Sequence, residues 1–461
     1  MSKCNERLLG FKSRSLLVLP VLLFCCWISA VANDHGSGTR SGSSELKSVV
    51  FVVEKPGEVG LEIEARSPGA SWEKPGEECA AILVSLDQRE QQDILLFAGD
   101  QSFKYRIALG RLEQGQHKII ISVNRERSAP RAAGAEILAV KPVFAGTDPL
   151  APGADGEVAL KYSPVLYARA NTIDHFSDIP LLMYYEVEHP NASQTLLTYT
   201  IIFTNEDAGT PSAALMARWG RGTDIEWVYR IRLNAEQAVE ETYQGVGHET
   251  KTFRGERTMG MHPLLADASD NNNFSDLACS VMKFALRPVK ADLSRASRES
   301  VMDTYSWTYK IMAQELFRER KISASPAVQN TINTIADPRN YVYIEAYSIQ
   351  EDTAVAFVLR LKESDELFRS DLNEARLRID RSGYYRAAIR IPHGLQRQDI
   401  SEIQLHCFPT QSTAQRKGCR NASISKVMVL DEAYVPGLLK ISGPVPQNLS
   451  PDGLIIYRTK D

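Results

Sequence analysis

Beyond residue 32 the chain has no apolar run approaching the ~20 residues that a membrane-spanning helix needs. It has no basic block, and its net charge of −4 over 461 residues gives no electrostatic footprint for nucleic acid. G-x-S-x-G, H-E-x-x-H and phosphate-loop motifs are absent, which removes the commonest signatures of serine hydrolases, zinc proteases and nucleotide enzymes. No C-x-x-C pair suggests a structural zinc. No internal repeat points to a solenoid.

What is there begins with an address. Lys3, Arg7, Lys12 and Arg14 precede the apolar stretch 15–28, and Ala30-Val31-Ala32 ends it with small residues. That is a secretory signal, with cleavage expected after Ala32 and a secreted or periplasmic mature chain. Cys79, Cys279, Cys407 and Cys419 survive cleavage. In an oxidising compartment Cys407 and Cys419 could close a short loop, and a Cys79–Cys279 pair is open. Asn191, Asn273, Asn421 and Asn448 head N-x-S sequons, the last made poor by Pro451.

The fold class expected is mainly β, as several antiparallel β-sandwiches with a short helical insertion. Residues 33–46 are Gly/Ser-rich and read as a disordered tether. Residues 47–146 hold about seven strand patterns at 8–12-residue spacing, an immunoglobulin-like or carbohydrate-module-like sandwich. A Gly/Pro-rich linker follows, then a central β domain over 158–290. Val301, Tyr305, Thr308, Met312 and Leu316 step at helical spacing within 291–325, with Ser297 as the expected N-cap. Residues 340–461 form a second flanking sandwich.

The chemistry concentrates between Arg218 and Asp276. Asp224–Leu233 alternates with period 2, which places Ile225, Trp227, Tyr229, Ile231 and Leu233 on one face and Asp224 and Glu226 on the other. On a strand the two carboxylates lie about 7 Å apart, close enough to share a cation or to divide into acid and base. Alternatively they are a solvated face paired with Arg230 and Arg232. His248 and Glu249 follow one hairpin later, so Asp224, Glu226, His248 and Glu249 form a candidate divalent-cation set (Ca, Mg or Mn). The loop 267–276 (DASDNNNFSD) is dense in Asn and Asp oxygens but lacks EF-hand spacing. Asn271, Asn272 and Asn273, with His262, Arg218, Trp219 and Tyr243, are candidate ligand contacts, Trp219 and Tyr243 as stacking platforms. Asp224, Glu226 and Glu249 are the candidate catalytic carboxylates of a glycan hydrolase.

The order of KYSPVLYARA, TDIEWVYRI, YQGVGHE and HPLLADASDNNN resembles the vacuolar-sorting-62-type proteins and is similar to the secreted necrosis- and ethylene-inducing-peptide-like proteins. Those families carry an Asp-Trp-Glu core on a strand and a later His; Ile225 stands here where they have Trp. The resemblance implies a β-sandwich whose cavity holds a divalent cation, with Asp224 and Glu226 as the acidic pair and His248 as the later His. It also implies recognition of a glycan or glycolipid head group. The expected function is an exported, cation-dependent protein that binds or hydrolyses saccharides. The alternative is a structural or cell-surface interaction protein with no metal site.

Overall fold

The computed structural model describes residues 44–460, apart from 133, 278, 324–331, 363 and 411–416. The expected signal segment and nearly all of the expected tether therefore lie outside the described residues. The rest is a multidomain β protein, as its alternating patterns require.

The first sandwich uses all seven expected strands. Glu45–Val53, Gly115–Val123, Ala81–Leu86 and Arg89–Leu95 form one sheet, and Phe103–Leu112, Gly57–Arg66 and Glu136–Phe144 the other. The last sandwich packs two five-stranded sheets, one built on Tyr341–Gln350 and Cys419–Leu430 and one centred on Ile400–Pro409. Its Cys407–Cys419 disulfide forms as expected, with the two Cα atoms 6.0 Å apart. Cys79 is buried and free, so the open Cys79–Cys279 pairing is not made.

Between the sandwiches lies a larger sheet built on Pro180–Asn191, Gln194–Phe203, Ile225–Asn234 and Gln237–Gly245, all antiparallel neighbours. It is mixed beyond them, because His262–Asp267 runs parallel to Val165–Tyr167. Three short helices interrupt stretches that read as linker or strand: Gly153–Lys161, Ala170–His175 and Ser212–Trp219. The last ends at Gly220, whose φ of 61° suits glycine and whose added Cβ would meet Arg386 Cγ at 2.8 Å. The expected helical insertion is two helices, Ser300–Thr304 and Trp307–Arg318. Ser297 does not cap them; its hydroxyl donates to Glu345 at 2.8 Å.

The strand Ile225–Asn234 does not alternate along its whole length. Tyr199 faces Tyr229 but Thr200 faces Trp227, so Val228 is an extra residue, a β-bulge. A bulge re-phases every side chain beyond it. Ile225 packs with Ile202 and Leu182 in a core shared with the first sandwich and the helices. Val228, Tyr229, Ile231 and Leu233 join Tyr199 and Tyr185 in the core on the opposite side. Trp227, expected among the latter, is only half-buried, with the Arg230 guanidinium 5.0 Å from its ring centre.

Candidate functional site

The loops at one end of the central sheet meet around the polar segment 267–276, and its two sides face different groups. On one side Asn271 and Asn273 reach His248, at 2.9 and 3.4 Å, and Asn273 also accepts from the Gly247 amide at 3.0 Å. Gln244 Nε2 links His248 Nδ1 (2.8 Å) to the Glu226 carboxylate (2.5 Å), and His248 stands 4.0 Å from Glu226. Burial first, and the Asp224 charge second, push the Glu226 carboxyl up to about 8. Asn273 is buried, which removes its sequon as a glycan acceptor.

On the other side everything turns on Arg169, a residue with no motif around it. Its guanidinium meets Asp178 at 3.2 Å, Asp267 at 3.3 Å, Asp270 at 3.0 Å, and Asp207. Asn272 Nδ2 donates to both Asp178 (2.7 Å) and Asp224 (3.1 Å). Asp224 is buried and contacts Arg221 at 3.4 Å, and Glu299 reaches the same guanidinium at 3.4 Å. So many carboxylates in little water disfavour ionisation. Burial, then the Asp207 charge, raise the Asp178 carboxyl well above the ordinary range. Burial outweighs Arg169 at Asp267, which is pushed to about 7. Burial and the Asp224 charge take Glu206 to about 7. Asp207 moves the other way: burial opposes its ionisation, but hydrogen bonds from Ser177 and Arg169 prevail and lower it.

The expected residues are thus only partly gathered. Glu226, His248, Asn271 and Asn273 converge; Asp224 connects to them from below, through Asn272 in the same loop. Glu249 does not join them: it is exposed and lies 3.7 Å from Lys251, because the strand Glu249–Thr252 carries it outward. Among the described residues no three His, Cys, Asp or Glu side chains are gathered to hold a metal ion, so Asp224, Glu226, His248 and Glu249 do not form one ligand set.

Four further candidates sit elsewhere. Arg218, at the end of the helix Ser212–Trp219, bonds Asp380 at 2.5 Å on the last sandwich. Trp219 lies between Arg218 and Arg381, at 5.1 and 5.0 Å, and is occupied as a platform. His262 is buried at the joint with the first sandwich, bonded to Ser163 O at 2.8 Å and Glu58 at 3.1 Å. Tyr243 is buried with its hydroxyl on Asp276 at 3.1 Å, so it offers no stacking face.

Beside Arg169 a cleft of about 620 Å³ opens to solvent, lined by Asn171, Asp174, His175, Asp207, Asp270 and Lys321 among others. Asp270 alone belongs to the motif-bearing stretch. The remainder come from segments with no distinguishing composition.

No family model and no curated protein matches the chain. Two solved structures are similar over part of it. One is described as "EclA C-terminal domain; sugar-binding protein", at 10% identity, covering 22% of this chain and 68% of that one, with a TM-score of 0.17. The other is described as "Structure of a family 35 carbohydrate binding module from an environmental isolate", at 15% identity, covering 25% and 83%, with a TM-score of 0.16. At that level of similarity nothing about function follows.

Proposed function

We propose that this is an exported saccharide-binding protein without hydrolytic activity, and that the cleft beside Arg169 receives the sugar. The observation that carries the reading is the lining of that cleft. Asp270 offers acceptor oxygens, Lys321 donates, and Asn171 and His175 do both, while Asp207 is spent on Arg169, Asn171 and Ser177. Neighbouring sugar hydroxyls are donors and acceptors at once, and a wall of fixed, mixed polar groups orients them. The volume of about 620 Å³ suits one or two sugar rings. The Cys407–Cys419 bridge supports an oxidising compartment.

Hydrolysis needs a protonated and an ionised carboxyl flanking one bond. Four carboxyl residues line the cleft, Asp174, Asp207, Asp270 and Glu319; Asp207 is held ionised, whereas the raised Glu226 lies toward His248 and does not line it. That separation favours binding over catalysis.

A glycan array probed with the mature chain tests the reading. Binding of a defined glycan set is expected, lost in Asp270→Ala and kept in Glu249→Gln. Absence of binding across the array overturns the proposal, and release of reducing sugar from a bound glycan overturns its non-catalytic half.

A further inference from the structure

Behind the cleft wall the network contains oxygens that no donor reaches. Asp178 Oδ1, Asn205 Oδ1, Asp267 Oδ1 and Asn272 Oδ1 are all buried without a hydrogen-bond partner. The residues that carry them are 1%, 1%, 7% and 0% exposed. Leaving such an atom unpaired costs roughly 1–3 kcal/mol, so four together need an explanation.

The four belong to one knot. Asp178 and Asp267 are both on Arg169, and Asn272 bonds Asp178 at 2.7 Å. Asn205 reaches Asp207, itself on Arg169, at 3.4 Å, and its carbonyl accepts from the Asp224 amide at 3.2 Å. Each side chain spends one polar atom on a neighbour and keeps the other oxygen unspent. Four carboxyl groups, Asp178, Asp207, Asp267 and Asp270, share the single Arg169 guanidinium.

We propose that Asp178, Asn205, Asp267 and Asn272 hold a hard divalent cation of the Ca²⁺ type, buried behind the saccharide cleft. Arg169 Nε is also without a hydrogen-bond partner, 3.3 Å from Asp267 Oδ2, and the four unpaired oxygens around it are two carboxylate and two amide. That is the donor preference of Ca²⁺ and the opposite of a zinc site. Because half the set is amide, carboxylates alone do not reveal it. The ion would supply the missing positive charge and tie the 205–207 turn to the 267–272 loop. It involves neither His248 nor Glu249, and it stands whether or not the cleft takes a sugar.

The test uses the full mature chain, stripped with chelator and titrated with Ca²⁺ alone, in calorimetry and in thermal melts. One ion per chain is expected, with Tm rising by roughly 3–6 °C at about a hundredfold excess over Kd. Asp178→Asn and Asp267→Asn should each weaken binding roughly tenfold or more, by lowering ligand charge. Glu249→Gln should leave it unchanged. If Asp178→Asn does not fold, Asp267→Asn decides alone. No bound ion and an unmoved Tm in the unmodified protein would mean that water fills the cage and the proposal is wrong. Undiminished binding in the folded aspartate variants would put the ion elsewhere and overturn it equally.

Discussion

The two flanking sandwiches look alike as strings of short alternating strands, yet they are held in opposite ways. The last sandwich has a core of its own, from Val342 and Phe357 through Leu405 to Tyr457, with the Cys407–Cys419 bridge inside it. It meets the rest of the protein through one sheet face, whose Tyr341, Tyr343, Ala388, Met428 and Leu430 join the central core, and through a buried ionic joint in which Arg386, held by Glu345 of its own sheet at 2.9 Å, bonds Asp303 at 2.6 Å. The first sandwich has no separate core. Leu61, Ile82 and Ile121 are continuous with Ile225, Met302 and Leu316 of the centre. Trp72 leaves the sandwich altogether: its indole N–H donates to Glu315 at 2.9 Å on the helix Trp307–Arg318, under the Arg318 guanidinium. Autonomy is set by where the largest side chains go, and strand pattern does not report it.

The comparison breaks first at Trp72. Trp72→Ala should cost about 3–5 kcal/mol, as for other buried aromatics, and it strips Glu315 of a donor. With a shared core, the first sandwich and the central sheet should still unfold in one transition, shifted to lower denaturant. A separate early transition for the first sandwich would show that the cores are not continuous.

The Cys407→Ser/Cys419→Ser double variant probes the other side. A loop with a sequence separation of 12 is worth about 2–4 kcal/mol when closed by a disulfide. That loss should fall on the last sandwich alone, leaving the melting of the centre in place. An equal loss in both regions would mean that the last sandwich is no more independent than the first.

These differences also mark what the sequence could tell. Strand existence, the position of the helices after Ser297 and the short disulfide were legible because period, turn residues and spacing are local signals. The loop 267–276 was legible too, since its Asn and Asp density is a composition signal, and it lies at the centre of both polar clusters. Arg169 was not. It sits in an ordinary ARANT stretch, and only the folded chain brings Asp178, Asp207, Asp267 and Asp270 to it. Trp219 misled for a related reason. An aromatic beside an acidic strand looks like a platform, but a short helix turns it toward Arg381.

A smaller effect separates the two sides of the polar loop. Glu226, held up to about 8, carries more proton in the folded chain than in the unfolded one. Its contribution is therefore intact at low pH and is lost as pH rises from the usual carboxylate range through about 8. Glu226→Gln has no such proton to lose. In chelator, its Tm should fall less than the parent's between pH 5 and 8, a difference on the order of 1–2 kcal/mol after screening. Parallel curves for the two proteins would show that Glu226 ionises normally.

The smallest effect belongs to the bulge at Val228. Unbroken alternation would place Trp227 beside Tyr229, fully buried, and Trp227→Ala would then cost about 3–5 kcal/mol. The extra residue instead puts Trp227 opposite Thr200, on the other face from Tyr229, half-buried with its ring against Arg230. Truncation there removes a partly wet contact and a half-buried cation–π pair, together about 1 kcal/mol. Denaturant midpoints of Trp227→Ala against the parent decide between the two phases. A loss near the core range would return Trp227 to the Tyr229 face and remove the bulge. With it would go the phase that sets Glu226 on the same side as Tyr199 and Tyr229, and so the placement of its carboxyl beneath Gln244 and His248.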